Sequence, residues 1–513
     1  MRGPMNTWQR LLYAGSILGA VAASQCDNGK YTSGNPDSGG GGGGKVDMAT
    51  GGGGGNPDLA TGGGGGNPDL ATGGGNPDLT IPLILTTITP AQGPSTGGTT
   101  LTLTGSGFVN GATVTIGGLP ATVTQTTPTQ LTVTLPVSPL TKGKVPVIVR
   151  NPDGAMVNRG DLFGYYYGTI KFGTALAVAV GSNPYAVAVG DMNNNAKADL
   201  VVANYFDNTV GVLLGNADGT FGAMGAYTTG LRPRGVTLAD FNNDGYPDVA
   251  AVNYSAQSIS VFINDKTGVL GPKSDTSTGV STNPVAIDAK VVSKSTYPDV
   301  VTANSASDDA SFFLSKAGGG LNTPQSYVGG RSPSAVTLAD VNADTYLDLV
   351  IANQLTGNCT IYMGDGKGGF SLKGSFSAGL MPAGVVATDF DGDGKVDLLV
   401  SLGMDNKVAL MTGNKDGTFN MPTSYPAGMQ PAGIALGDFN GDGRPDIATA
   451  LNVDGAVAVL LNVNGVPGAP MTLAAGSGPQ GIAVGDLDND GRPDVVVANS
   501  GGNTLSVFLN KSQ

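Results

Sequence analysis

The chain has 513 residues, with 39 acidic and 26 basic side chains and a formal net charge of −13. It contains no His, and all of its acidic residues are Asp. The commonest general base and the commonest zinc ligand are therefore missing, and an acidic chain without a basic cluster does not fit a nucleic-acid binder. The 84 Gly and 31 Pro residues favour β structure that is rich in turns.

Residues 1–25 predict export. Arg2 and Arg10 precede the apolar run Leu11–Ala23. This order of charged and then apolar residues is typical of a secretory signal peptide. The run is too short to span a bilayer comfortably. Cys26 follows in the sequence AASQC, which resembles the lipobox of bacterial lipoproteins. The resemblance implies lipidation of Cys26 and membrane contact only through that anchor. Gln25 departs from the usual small residue, and ordinary cleavage after residues 20–22 would leave Cys26 as a free thiol.

Residues 27–80 repeat the sequence GGGGGNPDLAT. Such Gly-rich sequence cannot bury enough apolar surface to offset the entropy of ordering. We expect a disordered linker that acts as a tether. Its aspartates are too sparse for a calcium repeat.

Residues 81–168 change to alternating Thr, Val and Leu, in runs separated by Gly and Pro turns. This pattern predicts half-buried strands of an antiparallel sandwich. The segment resembles the IPT/TIG family of Ig-like domains, which implies a structural or binding spacer without catalysis. The residues that carry the resemblance are Pro90, Gly97, Gly98, Leu101, Gly105, Gly107, Phe108, Gly117, Asn151, Pro152, Asp153 and Gly154.

Residues 169–513 contain seven copies of a unit of about 49 residues. Each copy reads as four short strands, a period that favours propeller blades. An acidic loop of the form D-x-[DN]-x-[DN]-G-x-x-D follows seven residues after a marker proline. The marker prolines are Pro184, Pro233, Pro284, Pro333, Pro382, Pro431 and Pro479.

The acidic loops and a recurring G-x-x-x-G-x-F turn resemble the FG-GAP/VCBS repeats of integrin-α-like propellers. The resemblance implies an all-β protein in which a seven-bladed propeller follows the Ig-like sandwich. The last copy stops after its third strand, whereas Phe172–Gly181 aligns with a fourth strand. We therefore expect this early segment to complete the last blade at Thr504–Leu509 and to close the ring.

The acidic loops predict calcium sites. Oxygen side chains at loop positions 1, 3, 5 and 9, with Gly at position 6, suit a hard cation, and about four to six sites are expected. In the resembling family such calcium ions are structural. The candidate ligands are Asp191, Asn193, Asn195, Asp199; Asp240, Asn242, Asp244, Asp248; Asp340, Asn342, Asp344, Asp348; Asp389, Asp391, Asp393, Asp397; Asp438, Asn440, Asp442, Asp446; and Asp486, Asp488, Asp490, Asp494.

The loops differ in quality. Those of the second, fifth, sixth and seventh copies have Gly at position 6, whereas the first has Ala196 and the fourth has Thr345. The third has Val291, Ser293 and Ser295 where ligands belong, so it is expected to bind no ion. An EF-hand is excluded because position 12 holds no acid and strand formers follow. Plain Asp/Asn turns closed by their own hydrogen bonds remain the alternative.

These features favour an exported surface protein, not an enzyme, that presents a propeller for adhesion or ligand binding. The expected partner is a surface protein or a glycan. A calcium-dependent carbohydrate-active hydrolase or lyase that uses the propeller channel is the alternative. Carboxylates that converge at the channel mouth, outside the metal loops, would favour it. We expect Cys359 to be a packed thiol.

Overall fold

The computed structural model describes residues 81–139, 142–293 and 295–513. The regular structure of these residues consists of strands, and none of them belongs to a helix long and apolar enough to cross a membrane. The predicted signal segment, Cys26 and the predicted linker of residues 27–80 lie outside the described residues.

The first described domain is an Ig-like sandwich, as predicted. When its eight strands are numbered along the chain, neighbouring strands follow the order first, third, sixth, fifth, fourth, seventh, eighth, second. Leu101, Leu103 and Val147 are fully buried between the layers. The strand Leu119–Thr127 contains no buried residue, so no alternation of buried and exposed positions marks it in the sequence. The strands are Ile84–Thr89, Gln92–Pro94, Thr100–Ser106, Thr113–Ile116, Leu119–Thr127, Gln130–Thr134, Gly143–Arg150 and Met156–Tyr166.

Seven four-stranded sheets follow, and they form the blades of a propeller. The first strands surround the axis: Pro184–Gly190, Pro233–Ala239, Pro284–Lys290, Pro333–Ala339, Pro382–Thr388, Pro431–Gly437 and Pro479–Gly485. The second strands are Asp199–Asn204, Asp248–Asn253, Asp299–Asn304, Asp348–Asn353, Asp397–Leu402, Asp446–Leu451 and Asp494–Asn499. The third strands are Thr209–Leu213, Ser258–Asn264, Asp309–Phe313, Asn358–Gly364, Lys407–Met411, Ala456–Asn462 and Thr504–Phe508. The outer strands are Gly225–Thr228, Leu270–Ser277, Gln325–Val328, Phe370–Ser377, Thr423–Pro426, Pro467–Ala474 and Leu176–Ala179.

The early segment closes the ring, which confirms the prediction. Leu176–Ala179 pairs antiparallel with the third strand of blade seven, with Ala179 opposite Thr504 and Leu176 opposite Val507. No blade is left with an unpaired third strand that could pair with another chain.

The core lies between neighbouring blades. The second strands are buried along their whole length, whereas the outer strands alternate between half-buried and exposed residues. Small residues on the first strands let the blades approach each other near the axis. At Gly481 of blade seven, a Cβ atom would lie only 2.7 Å from the Cα of Ala186 in blade one, so this contact requires glycine.

The loops between first and second strands all lie on one side of the propeller, because every blade is antiparallel and runs in the same direction. We call this side the metal-loop face. The opposite side carries loops such as 205–208 and 230–232, and we call it the open face.

Candidate metal centres

Each predicted metal loop joins the first strand of a blade to the second. The carboxylate at position 1 organises the loop backbone. In blade two, Asp240 accepts hydrogen bonds from the N–H groups of Asp244 (3.0 Å) and Gly245 (2.7 Å). Equivalent bonds hold the loops that begin at Asp191, Asp340, Asp438 and Asp486, whereas Asp389 accepts from Gly392 and Gly394 in blade five.

Position 6 of the loop adopts a left-handed backbone conformation. Gly245 has φ 86° and Gly443 has φ 82°, which glycine adopts without strain. Ala196 and Thr345 hold φ 61° and φ 75° at the same position. The loops of blades one and four therefore keep the turn at some conformational cost, and the missing glycine does not prevent the loop from forming.

The Asp at position 9 has a role that the ligand pattern alone did not reveal. Both of its oxygens accept backbone N–H groups: in blade six, Asp446 accepts from Phe439 (2.9 Å) and Asn462 (2.7 Å). Blade three keeps this arrangement at Asp299, although its loop has no other ligand. Position 9 is therefore a structural link between the loop and the third strand in all seven blades, whether or not it also contacts a cation.

Burial makes these carboxylates hard to ionise without a cation. Desolvation, together with repulsion from the nearby loop carboxylates, raises the pKa of Asp446 and of Asp494 to about 7. The pKa values of Asp248 and Asp348 rise to about 6 for the same reason. A bound divalent cation would offset this cost by supplying positive charge beside each carboxylate.

Two loops gather three carboxylates each. One oxygen from each member lies within 4.8 Å of the others in the sets Asp389, Asp391, Asp397 and Asp486, Asp488, Asp494. Calcium holds its oxygen ligands at 2.3–2.6 Å, so ligands around one ion lie up to about 5 Å apart. These are the only such sets among residues 81–139, 142–293 and 295–513.

Two position 3 oxygens also suit a cation. The Oδ1 atoms of Asn193 and Asp488 are buried and accept no hydrogen bond. A buried acceptor without a partner is costly, and both atoms lie in predicted loops. The residues of blades one and seven therefore fit a hard cation by a criterion that is independent of the sequence motif.

In blades two, four and six, position 3 is Asn and position 5 is Asp. The Nδ2 of the Asn donates to the position 5 carboxylate, as between Asn242 and Asp244 (3.2 Å). Equivalent bonds join Asn342 to Asp344 and Asn440 to Asp442. Because position 3 is Asn in these loops and Asp in blades five and seven, they lack the set that positions 1, 3 and 9 form there.

Lysines lie beside several loop carboxylates. Lys266 is 3.5 Å from Asp244, and Lys395 is 2.6 Å from Asp393. In blade seven, Lys511 pairs with Asp488. These lysines neutralise part of the negative charge of the loops, so calcium has to displace their ammonium groups or bind beside them.

Blade three differs most from the motif. Lys290 donates to the carbonyl of Leu338 in blade four (2.6 Å) and lies 3.5 Å from the buried Asp288. Asp288 in turn accepts the N–H of Leu338 (3.0 Å). An ion pair within the first strand of blade three therefore contacts the backbone of blade four here, next to a loop without a ligand set.

Sequence reasoning missed a side-chain link between loops. Asn510 donates from Nδ2 to the carbonyl of Phe439 in the blade-six loop (2.9 Å), while its N–H contacts Asp494 of blade seven (2.7 Å). Asn462 connects the loops of blades five and six in the same way. The available signal was an Asn sixteen residues after position 9, present in blades two, six and seven.

The Ig-like domain contacts the blade-six loop. The N–H of Tyr167 donates to the carbonyl of Asn440, at position 3 of that loop (2.8 Å). The guanidinium of Arg492, from the blade-seven loop, lies 5.9 Å from the centre of the Tyr167 ring. The metal-loop face is therefore also where the Ig-like domain attaches.

Cys359 is fully buried in the third strand of blade four, and burial raises the pKa of its thiol to about 12. It packs against Ala335 and Ala352 in the core between blades four and five. A thiol held neutral in this way is not poised as a nucleophile.

The solved structures that resemble this chain share low identity with it. Virginiamycin B lyase from Staphylococcus aureus is 14% identical over 66% of this chain and 99% of its own, with a TM-score of 0.47. An auxiliary nutrient binding protein from Bacteroides ovatus is 16% identical over 85% of this chain and 99% of its own, with a TM-score of 0.35. No curated protein matches the sequence.

Two family models match. The IPT/TIG domain matches residues 83–165. The FG-GAP-like repeat matches residues 191–251, 240–290, 340–400, 389–449 and 438–497, which together cover half of the chain. Each repeat match begins at or next to a predicted metal loop. The chain therefore belongs to the FG-GAP-like repeat family and carries an IPT/TIG domain.

Proposed function

We propose that this protein is an exported, calcium-binding surface protein whose propeller presents the open face to a ligand. An FG-GAP propeller fits a surface or binding protein. In this proposal the signal segment directs export, Cys26 carries a lipid anchor, and the linker and the Ig-like domain hold the propeller away from the membrane. Calcium stabilises the blades and takes no part in chemistry.

The observation that carries the proposal is the composition of the open face. Large apolar side chains rarely stay exposed together without a partner. Phe206 is 61% exposed and Val280 is 91% exposed. The exposed large apolar residues of this face are Phe206, Leu231, Val280, Leu355, Leu380, Met404, Met429 and Val453. The metal-loop face exposes fewer such residues, among them Val291, Tyr346 and Val463, and it carries the acidic loops and the Ig-like domain.

The channel supports binding over the hydrolase or lyase alternative. That alternative needs carboxylates at the channel mouth, outside the metal loops. The residue after each marker proline lies on a first strand next to the axis, and none of these residues is acidic. They are Tyr185, Arg234, Val285, Ser334, Ala383, Ala432 and Gln480.

A binding assay tests the proposal. Labelled mature protein is applied to a glycan array and to whole cells, with calcium and after calcium removal. We expect saturable binding that requires calcium and that falls in the double variant Phe206→Ser, Leu231→Ser. Leu372→Ser is the matched control, because Leu372 is 62% exposed on an outer strand away from the open face. Binding no greater than that of an unrelated protein, or cleavage of an array glycan, would contradict the proposal.

A further inference from the structure

Three tyrosines and two arginines form one cluster on the open face of blades one and two. The guanidinium of Arg234 lies 4.8 Å from the ring centre of Tyr185 and 5.1 Å from that of Tyr254. The guanidinium of Arg232 lies 5.6 Å from the ring centre of Tyr205. The rings of Tyr185 and Tyr205 are 5.3 Å apart. Arginine held over tyrosine rings in this way is oriented before any ligand arrives.

The cluster lies at the mouth of the central channel. Tyr185 and Arg234 each follow a marker proline, so both lie at the start of a first strand beside the axis. Tyr185 packs against Ala383 and Ala432 of blades five and six. These blades are not neighbours of blade one in the ring, so Tyr185 reaches across the axis. A ligand at this mouth meets the tyrosine and does not pass through.

A buried amide beside Tyr185 has an oxygen without a partner. Gln480 follows a marker proline as Tyr185 does, on the first strand of the neighbouring blade seven. It is 7% exposed, and its Oε1 accepts no hydrogen bond. A buried acceptor of this kind is costly unless a ligand satisfies it, and a hydroxyl group can donate to it.

The exposed charge of the cluster is positive, although the protein carries a net charge of −13. Arg232 is exposed, and no carboxylate of the described residues lies within 4.0 Å of its guanidinium. Guanidinium groups bind carboxylates through two parallel hydrogen bonds. An arginine lies over the rings of Tyr205 and of Tyr254, and the ring surface left uncovered is suited to the C–H groups of a sugar ring, since an aromatic face is electron-rich.

We propose that this mouth binds a pyranose that carries a carboxylate, such as a uronic acid or a sialic acid at the surface of a cell. The proposal rests on the proposed binding function and assigns its site and ligand class. Arg232 holds the carboxylate, Tyr205 and Tyr254 contact the ring, and Gln480 accepts from a hydroxyl group. An acidic protein surface would use the arginine but leave the buried amide oxygen of Gln480 unsatisfied.

The test is calorimetric titration of the mature, calcium-loaded protein with an oligogalacturonate, with sialyllactose and with a neutral malto-oligosaccharide. We expect one acidic sugar to bind and the neutral sugar to bind at least about tenfold more weakly. Arg232→Gln and Tyr205→Ala should each weaken that binding by about tenfold or more. Arg331→Gln is the matched control, because Arg331 is an exposed arginine on the same face of blade four, and it should leave the affinity unchanged.

Several results would contradict the proposed binding site. If Arg331→Gln loses as much affinity for the acidic sugar as Arg232→Gln does, the binding is unspecific attraction to positive charge. If polyglutamate binds as tightly as the acidic sugar, the partner is an acidic protein. Unaltered melting temperatures of the variants establish that each is folded. If whole-cell binding persists in Arg232→Gln and Tyr205→Ala, the binding function stands and this site is wrong. If the wild type binds neither cells nor any glycan, the proposed function itself fails.

Discussion

Removal of calcium should make the stability of the propeller fall as the pH rises from 5 to 8. The pKa of Asp446 is 3.8 in an ordinary setting and about 7 in the folded, metal-free protein. Because folding raises this pKa, the folded state favours the protonated acid, and stability is lost as the pH rises through 7. The same holds for Asp494.

The size of the effect follows from these shifts. A rise of about three pKa units corresponds to roughly 4 kcal/mol for each carboxylate over the whole range from its ordinary pKa to the raised one, and about 2.7 kcal/mol of this is lost between pH 5 and pH 8. Unfolding a propeller of this length changes the entropy by about 0.7 kcal/mol/K, so each carboxylate should lower the melting temperature by about 4 °C between these two pH values. Exposed aspartates such as Asp218 and Asp416 have lowered pKa values, and they act in the opposite direction only below about pH 4.

The assay is thermal unfolding of protein dialysed free of calcium, measured at pH 5 and pH 8, followed by the same scans with calcium added back. We expect a lower melting temperature at pH 8 than at pH 5 without calcium. With calcium the difference should vanish or reverse, since the ion favours the ionised carboxylates. A metal-free protein that is more stable at pH 8, or a melting temperature at pH 8 that calcium leaves unchanged, would refute the reasoning.

Four further predictions follow from the loops and their neighbours. Asp442→Ala should remove one bound calcium by calorimetric count, whereas Ser295→Ala in blade three should remove none. Asn510→Ala deletes the link between the loops of blades six and seven, so it should weaken calcium binding at both by an amount on the order of 1–3 kcal/mol; loss at blade seven alone would argue against the link. Calcium removal should increase the radius of gyration in X-ray scattering as the Ig-like domain leaves the blade-six loop; Tyr167→Ala removes the ring beside Arg492 but keeps the backbone hydrogen bond to Asn440, so it should give a smaller expansion with calcium present. Cys26→Ser should move the protein from the detergent phase to the aqueous phase, and a wild type that is already aqueous would show that Cys26 carries no anchor.

The sequence predicted the architecture well because the repeat fixes it. Each marker proline begins a first strand, and each position 9 Asp begins a second strand, so the period alone locates the blades. The closure by Leu176–Ala179 was also predictable, since one blade lacked a fourth strand and one spare strand preceded the repeats. Both inferences use only order along the chain.

Side-chain roles were harder to predict because they depend on contacts between blades. The motif treats position 9 as a cation ligand, but Asp299 shows that its two backbone hydrogen bonds persist without the rest of the motif. The motif also treats position 5 alike in every loop, whereas Asp244 accepts the amide of Asn242. The Tyr and Arg cluster on the open face has no sequence signature, since its members meet only when blades one and two pack together.

The central claim is that calcium occupies the loops and holds the propeller. A crystal structure of the calcium-loaded protein, with data collected for the anomalous signal of calcium, tests this claim most directly. We predict anomalous peaks in the loops of blades two, five, six and seven, with Asp389, Asp391, Asp486 and Asp488 as ligands, and no peak in blade three. Loops of blades five and seven without a peak at saturating calcium would contradict the account.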